Sequence, residues 1–135
     1  MGLTDKHKTI LVVEDDAEQR DLVSHLLLSA GYMVRPVANG LEAAASCLAV
    51  TPDLVISDVH MPRMSGFEMI RILKSEPAMQ DVPVIFLTVD GGARDEGAAL
   101  GAIEYLVKPV KPASLLMLVG KHLAGKRRPS QPKAP

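Results

Sequence analysis

Ile10-Leu11-Val12-Val13-Glu14-Asp15-Asp16 is the stretch from which the fold can be read. Four aliphatic residues run without alternation and stop at three acids. A strand with one wet face alternates apolar and polar residues. An uninterrupted run suits a strand covered on both faces, as in a parallel sheet lying between helix layers. The pattern returns at Leu54-Val55-Ile56-Ser57, which meets Asp58, and at Val84 to Leu87, which meets Thr88. It returns again at Tyr105-Leu106-Val107, which meets Lys108-Pro109. Carboxylates gathered at the ends of buried strands disfavour one another's ionisation and call for a cation. A hard divalent ion such as Mg2+ suits one or two carboxylates, a carbonyl, waters and phosphate oxygens. A lysine beside them meets phosphate as a point charge.

Between these runs the chain reads as helices. Asp16 is an N-cap with Gln19 as its capping-box partner, and Val23, Leu26, Leu27 and Ala30 follow at helical spacing. Gly31 suits the C′ position. Tyr32–Val37 reads as a short strand, Asn39-Gly40 as a turn and Leu41–Ala49 as a small-residue helix. Pro62–Gly66 is a loop, and Phe67, Ile70, Ile72 and Leu73 mark a further helix. A weak helix is expected near 94–100, and a last one from Pro112 to Leu123, where Leu115, Leu116, Leu118 and Val119 face the core. Pro112 suits the first turn. The expected class is therefore α/β: a doubly wound, five-stranded parallel sheet with five helices. In such sheets ligands bind at the carboxyl ends of the strands, where the strand order reverses. Order 2-1-3-4-5 is an assumption supported by the acids, because it sets the first and third strands side by side there.

The 135 residues fit one domain, 47% apolar and only 3% aromatic, so the core is aliphatic. The expected division is an N-terminal extension over 1–7, the domain over 8–124 and a disordered basic tail or linker start over 125–135. From Lys121 on there are five Lys/Arg and no acids, so the net charge of −1 leaves −6 on residues 1–120. Composition favours a solvated tail over a nucleic-acid arm. The single Cys47 excludes an internal disulfide and suits a small buried apolar role in a reducing compartment. The seven Met are expected to fill gaps in the core. His7, His25 and His122 lack metal-ligand spacing and read as surface or helix residues. No run approaches the length of a membrane span.

The motifs Ile10 to Asp16, Asp58-Val-His-Met-Pro-Arg-Met-Ser-Gly66, Leu87-Thr88 and Lys108-Pro109 stand in the order of a response-regulator receiver domain, the CheY-like, flavodoxin-like family of two-component signalling. The chain resembles that family over roughly 8–124. Taken singly, Glu14-Asp15 reads as well as a helix start, Asp58 as a loop cap and Lys108 as a solvated cation; their coincidence on strand ends carries the functional reading. The resemblance implies that Asp58 is the phosphoacceptor, taking a phosphoryl group as an acyl phosphate. It implies Mg2+ as cofactor, bound by Asp15 and Asp58, by the main-chain carbonyl of His60, and by Glu14 close by or through water. Thr88 would bond a phosphoryl oxygen and Lys108 would pair with the phosphate, aimed by a cis Lys108-Pro109 bond. Tyr105 reads either as core or as the family's rotating switch aromatic, moving with Thr88. No general base is needed, because a carboxylate at neutral pH is already the nucleophile.

The implied partners are a sensor histidine kinase or phosphotransfer protein and a downstream protein or covalently linked output domain. No membrane and no direct nucleic-acid contact are expected. The protein would be a cytoplasmic signalling domain rather than an enzyme, limited to its own phosphorylation and dephosphorylation. Either a single-domain regulator or a receiver cut from a longer protein fits the chain. Val89 replaces the family's very small residue after the Thr; with His60 and Asp90 it would tune access and phosphoryl lifetime. Gly91, Gly92, Gly97 and Gly101 weaken the helix expected near 94–100. These departures keep a rival open, a pseudo-receiver acting as a phosphorylation-independent interaction module. A haloacid-dehalogenase-type phosphatase would need a second Asp where His60 stands, and a flavodoxin would need a phosphate loop where Glu14, Asp15 and Asp16 repel phosphate.

Overall fold

In the computed structural model, residues 8–89 and 104–123 are described. Five strands form one parallel sheet: β1 (Thr9–Val13), β2 (Met33–Val37), β3 (Leu54–Asp58), β4 (Val84–Thr88) and β5 (Glu104–Val107). Their order is β2-β1-β3-β4-β5, the assumed order that the placement of the acids supports. The helices among the described residues are α1 (Ala17–Ser29), α2 (Gly40–Ala49), α3 (Gly66–Leu73) and α4 (Pro112–Leu123), with a 3-10 turn at Pro77–Met79. The fifth helix expected over 94–100, its glycines and Asp90 fall outside the described residues. So do the extension over 1–7, with His7, and the tail over 125–135.

The period of two along each strand sorts the core into two layers. Leu11, Val13, Val55 and Phe86 face one way and meet Ala43 and Cys47 of α2 and Phe67, Ile70 and Leu73 of α3. Ile10, Val12, Leu54, Ile56, Ile85 and Leu87 face the other way and meet Val23 and Leu27 of α1 and Leu115, Val119 and Leu123 of α4. Every residue of β3 and β4 is buried, which is why those runs do not alternate. β2 lies at an edge and carries Pro36, whose missing N–H an edge position tolerates.

Local chemistry sets the helix ends. The Asp16 carboxylate accepts from the Glu18 amide at 3.3 Å, so the cap forms without the reciprocal contact expected of Gln19. A reciprocal capping box forms instead at α3: Ser65 Oγ accepts from the Glu68 amide and Glu68 Oε1 from the Ser65 amide. Asn39-Gly40 is not a free turn: Asn39 caps α2 by accepting from the Glu42 amide at 2.8 Å, and Gly40 is already helical. Gly31 has φ 100°, the left-handed stop expected after α1. Met69 and Met79 fill the core, but Met33 and Met117 are more than half exposed, so gap-filling holds for only some of the methionines.

One polar tie joins β5 to α4. Glu104 Oε2 lies 2.9 Å from His122 Nε2 and 3.4 Å from Lys121 Nζ. The His122 bond, helped by Lys121 against the opposing effect of burial, holds the Glu104 carboxyl below its ordinary value. A carboxyl depressed on folding adds stability above its unfolded pKa and loses it as pH falls through the folded one. His122→Leu is therefore expected to lower stability at neutral pH by about 0.5–1 kcal/mol. It should also flatten the acid limb of a stability–pH curve below the usual carboxylate range, as read by urea melts. An unchanged acid limb would show that the tie contributes nothing.

Candidate phosphoacceptor site

β1 and β3 are neighbours, and their carboxyl ends carry the acids. Glu14 and Asp58 are buried and Asp15 is exposed, yet one carboxylate oxygen from each lies within 4.8 Å of the others. Lys108 enters from the loop after β5. Its Nζ stands 3.0 Å from Glu14 Oε1 and 3.4 Å from Asp58 Oδ2. Its backbone N–H donates to the Thr88 carbonyl at 2.8 Å, which anchors the loop to the end of β4. The Lys108–Pro109 bond is cis.

Burial pushes the Glu14 carboxyl above its ordinary value, and the Asp58 charge adds to that, while Lys108 opposes it. Burial also works against the Lys108 charge, but Glu14 and Asp58 outweigh it and hold that ammonium above its usual value. Three carboxylates and one ammonium, all ionised, leave a charge of −2, which one divalent cation balances. The donors are hard oxygens at the open end of the sheet, so the residues present fit Mg2+.

Three further groups hold the site. Arg20 Nη1 of α1 donates to the Glu14 carbonyl at 2.8 Å, and the Asp16 amide donates to Glu14 Oε2 at 3.2 Å. Ser57 Oγ donates to the Asp58 carbonyl at 2.8 Å. Arg20 belongs to none of the motifs in the sequence. Its position one turn into the helix that follows the acids, facing back toward them, was the available signal.

Thr88 is fully buried and closes β4; Leu87 before it pairs in register with Asp58. Val89 is 70% exposed and lines a groove of about 370 Å3 with Leu22, Val23, Lys108 and Pro109. His60 lies exposed two residues past Asp58. The Tyr105 ring packs on Phe86 at 5.5 Å between centroids, and Phe86 meets Phe67 edge-on at 5.0 Å. Tyr105 is partly buried and packs against the core cluster that contains both phenylalanines.

The family model described as "Response regulator receiver domain" matches residues 10–120. A protein of Leptolyngbya boryana, described as an uncharacterized 14.6 kDa protein, is 40% identical over 115 residues, covering 84% of this chain and 88% of that one. The chemotaxis protein CheY4 of Vibrio cholerae superposes with a TM-score of 0.83 at 37% identity, over 87% of this chain and 99% of that one. The receiver domain of the sensor histidine kinase PA1611 of Pseudomonas aeruginosa, solved with magnesium in its active-site cleft, gives 0.80 at 29% identity, over 88% and 99%. The chain spans about half the length, or less, of other curated relatives. Among the described residues no helix is long and apolar enough to cross a membrane.

Proposed function

This chain belongs to the response regulator receiver domain family, and from that premise we propose that Asp58 accepts a phosphoryl group in a Mg2+-dependent reaction and thereby switches a protein-interaction surface. The observation that carries this reading is the convergence of Glu14, Asp15 and Asp58 within 4.8 Å, with the Lys108 ammonium among them. Phosphoryl transfer asks mainly for positioning and for charge neutralisation on the equatorial oxygens. An oxygen of Asp58 attacks phosphorus and forms an acyl phosphate. The P–N bond of a phosphohistidine, or the P–O bond of a small phosphodonor, breaks with its electron pair leaving on the donor. Lys108 supplies positive charge 3.4 Å from Asp58 Oδ2. The Thr88 hydroxyl, at the end of the adjacent strand, bonds a phosphoryl oxygen. Glu14, Asp15 and Asp58 would hold Mg2+, with the His60 carbonyl as a further ligand; the bound ion supplies charge neutralisation to the transferring oxygens.

The switch follows from the same parts. Thr88 is drawn toward the new phosphoryl group, and Tyr105 turns into the space beside it, changing the surface near β5. Val89, His60 and Asp90 tune access and phosphoryl lifetime. Partners are a sensor histidine kinase or phosphotransfer protein upstream, and a downstream protein or a linked output domain. The setting is the cytoplasm, and the chemistry stops at the domain's own phosphorylation and dephosphorylation. Relatives such as the regulator RpaA of Synechocystis, described as DNA-binding, are about twice the length that this chain spans. Contact with nucleic acid is accordingly assigned to such output regions. The test is incubation with Mg2+ and acetyl phosphate, followed by intact mass. One added phosphoryl group per chain is expected. No uptake from acetyl phosphate or from any histidine kinase tried would favour a phosphorylation-independent module.

A further inference from the structure

We propose that Arg20 is a positioning residue for the cation pocket: its guanidinium clamps the Glu14–Asp15 peptide so that the exposed Asp15 carboxylate stays beside Glu14 and Asp58. The proposal rests on reading this site as the Mg2+ pocket of a receiver. The Glu14 carbonyl stands just past the end of β1 and accepts from Arg20 Nη1 at 2.8 Å. A peptide unit is planar, so a fixed carbonyl also fixes the direction in which the chain leaves toward the Asp15 Cα. Arg20 is itself anchored, because its backbone N–H donates to the Asp16 carbonyl at 2.9 Å in the first turn of α1. Glu14 closes the rest of the turn. Its N–H donates to the Val37 carbonyl at 3.1 Å, and its Oε2 accepts from the Asp16 amide at 3.2 Å.

Asp15 gains most from this clamp. Glu14 and Asp58 are buried and set by packing, whereas Asp15 is exposed and takes its place from its backbone. Yet one of its oxygens lies within 4.8 Å of the other two acids. Like charges at that spacing push apart, and Asp15 is the member that packing does not hold. A hydrogen bond from a charged donor is stronger than a neutral one, so the guanidinium suits the task. Charge and position predict opposite signs. As a bare positive charge beside the pocket, Arg20 would repel a divalent cation, and its removal would tighten binding. As a clamp, its removal loosens Asp15 and weakens binding.

The experiment is a calorimetric titration of the full chain with MgCl2 alone at fixed ionic strength, with circular dichroism to verify folding. Arg20→Met is expected to weaken Mg2+ binding about tenfold, the lower end of what losing a group that orients a metal ligand costs. Arg20→Lys keeps the charge and a donor, and is expected to bind Mg2+ more tightly than Arg20→Met. Arg71→Met removes an equal charge from an exposed position on α3, across the sheet from α1. It is expected to change the affinity less than about twofold, as a screened surface charge. In the metal-free chain, hydrogen exchange at the Asp16 amide is expected to quicken at least about threefold in Arg20→Met, the scale of one lost hydrogen bond. Unchanged or tighter binding in Arg20→Met overturns the proposal. So does equal weakening by Arg71→Met, no recovery in Arg20→Lys, or unchanged exchange at Asp16. If Arg20→Met does not fold, Arg20→Gln is measured in its place under the same criteria. A wild-type chain that binds no Mg2+ overturns the reading of the site and this inference together. A wild-type chain that binds Mg2+ as Arg20→Met does overturns the inference alone.

Discussion

Asp58→Asn is expected to take phosphoryl uptake from one group per chain to none, with a fold about as stable as the wild type. The amide keeps the size of the side chain but loses the nucleophilic oxygen anion. The neighbouring carboxylates do not replace it: Glu14 is held by Lys108 and by the Asp16 amide, and Asp15 is exposed. Stability should hold because the substitution removes one negative charge from a cluster of three. Lys108 keeps its shorter contact to Glu14 while losing only the 3.4 Å one. Relief of like-charge repulsion and loss of a partial ion pair are each on the order of 1 kcal/mol, so they nearly cancel. Intact mass after incubation with a small phosphodonor and Mg2+ reads the first effect, and a urea melt reads the second. Stoichiometric uptake by Asp58→Asn would place the phosphoacceptor elsewhere. Loss of uptake together with a collapsed melt would show instead that Asp58 is needed for folding.

Much of this architecture is legible in the sequence because of how parallel sheets bury their strands. β3 and β4 are covered on both faces, so selection for burial wrote them as unbroken aliphatic runs. Periodicity says nothing about which strands are neighbours. The strand order was an assumption that charge only supported, since placing β1 beside β3 unites acids that a lysine and a cation can balance. Glu14, Asp15, Asp58 and Lys108 were legible for the same reason: each stands at or just beyond the end of a strand. Contacts between distant elements were not legible. The tie from Glu104 to His122 joins residues 18 apart on a strand and a helix, and neither residue signals the other. Arg20 belongs to no motif, and only the turn after β1 brings the Glu14 carbonyl to it. Asn39-Gly40 reads as a turn because both residues tolerate left-handed backbone. The helix after it uses the asparagine as a cap instead.

Gly66→Ala is expected to cost at least about 3 kcal/mol, lowering the thermal midpoint by roughly 10 °C. Gly66 is the first residue of α3 and is buried directly against the end of β3. A Cβ there would fall well inside 3.0 Å of the Asp58 carbonyl oxygen, and 3.1 Å from both a Phe86 ring carbon and the Val59 Cα. Two of those three are backbone atoms, and Phe86 is fully buried between Phe67 and Tyr105, so none can step aside cheaply. Nor can α3 retreat freely, because the Gly66 amide donates to the Val59 carbonyl at 2.8 Å. Alanine's better helix propensity, about 1 kcal/mol over glycine in a helix interior, is smaller than the clash and does not reverse the sign. The methyl group must therefore push either the start of α3 or the end of β3, and the end of β3 is Asp58 itself. Glycine at this position thus acts on chemistry as well as stability: it lets a helix start pack against the peptide that aims the phosphoacceptor. The folded fraction of Gly66→Ala is expected to take up phosphoryl groups more slowly than wild type at temperatures well below its midpoint. A chemical melt gives the stability and a phosphodonor time course the rate. A midpoint unchanged from wild type would show that α3 and β3 separate without cost, and that this close approach does not hold Asp58 in place.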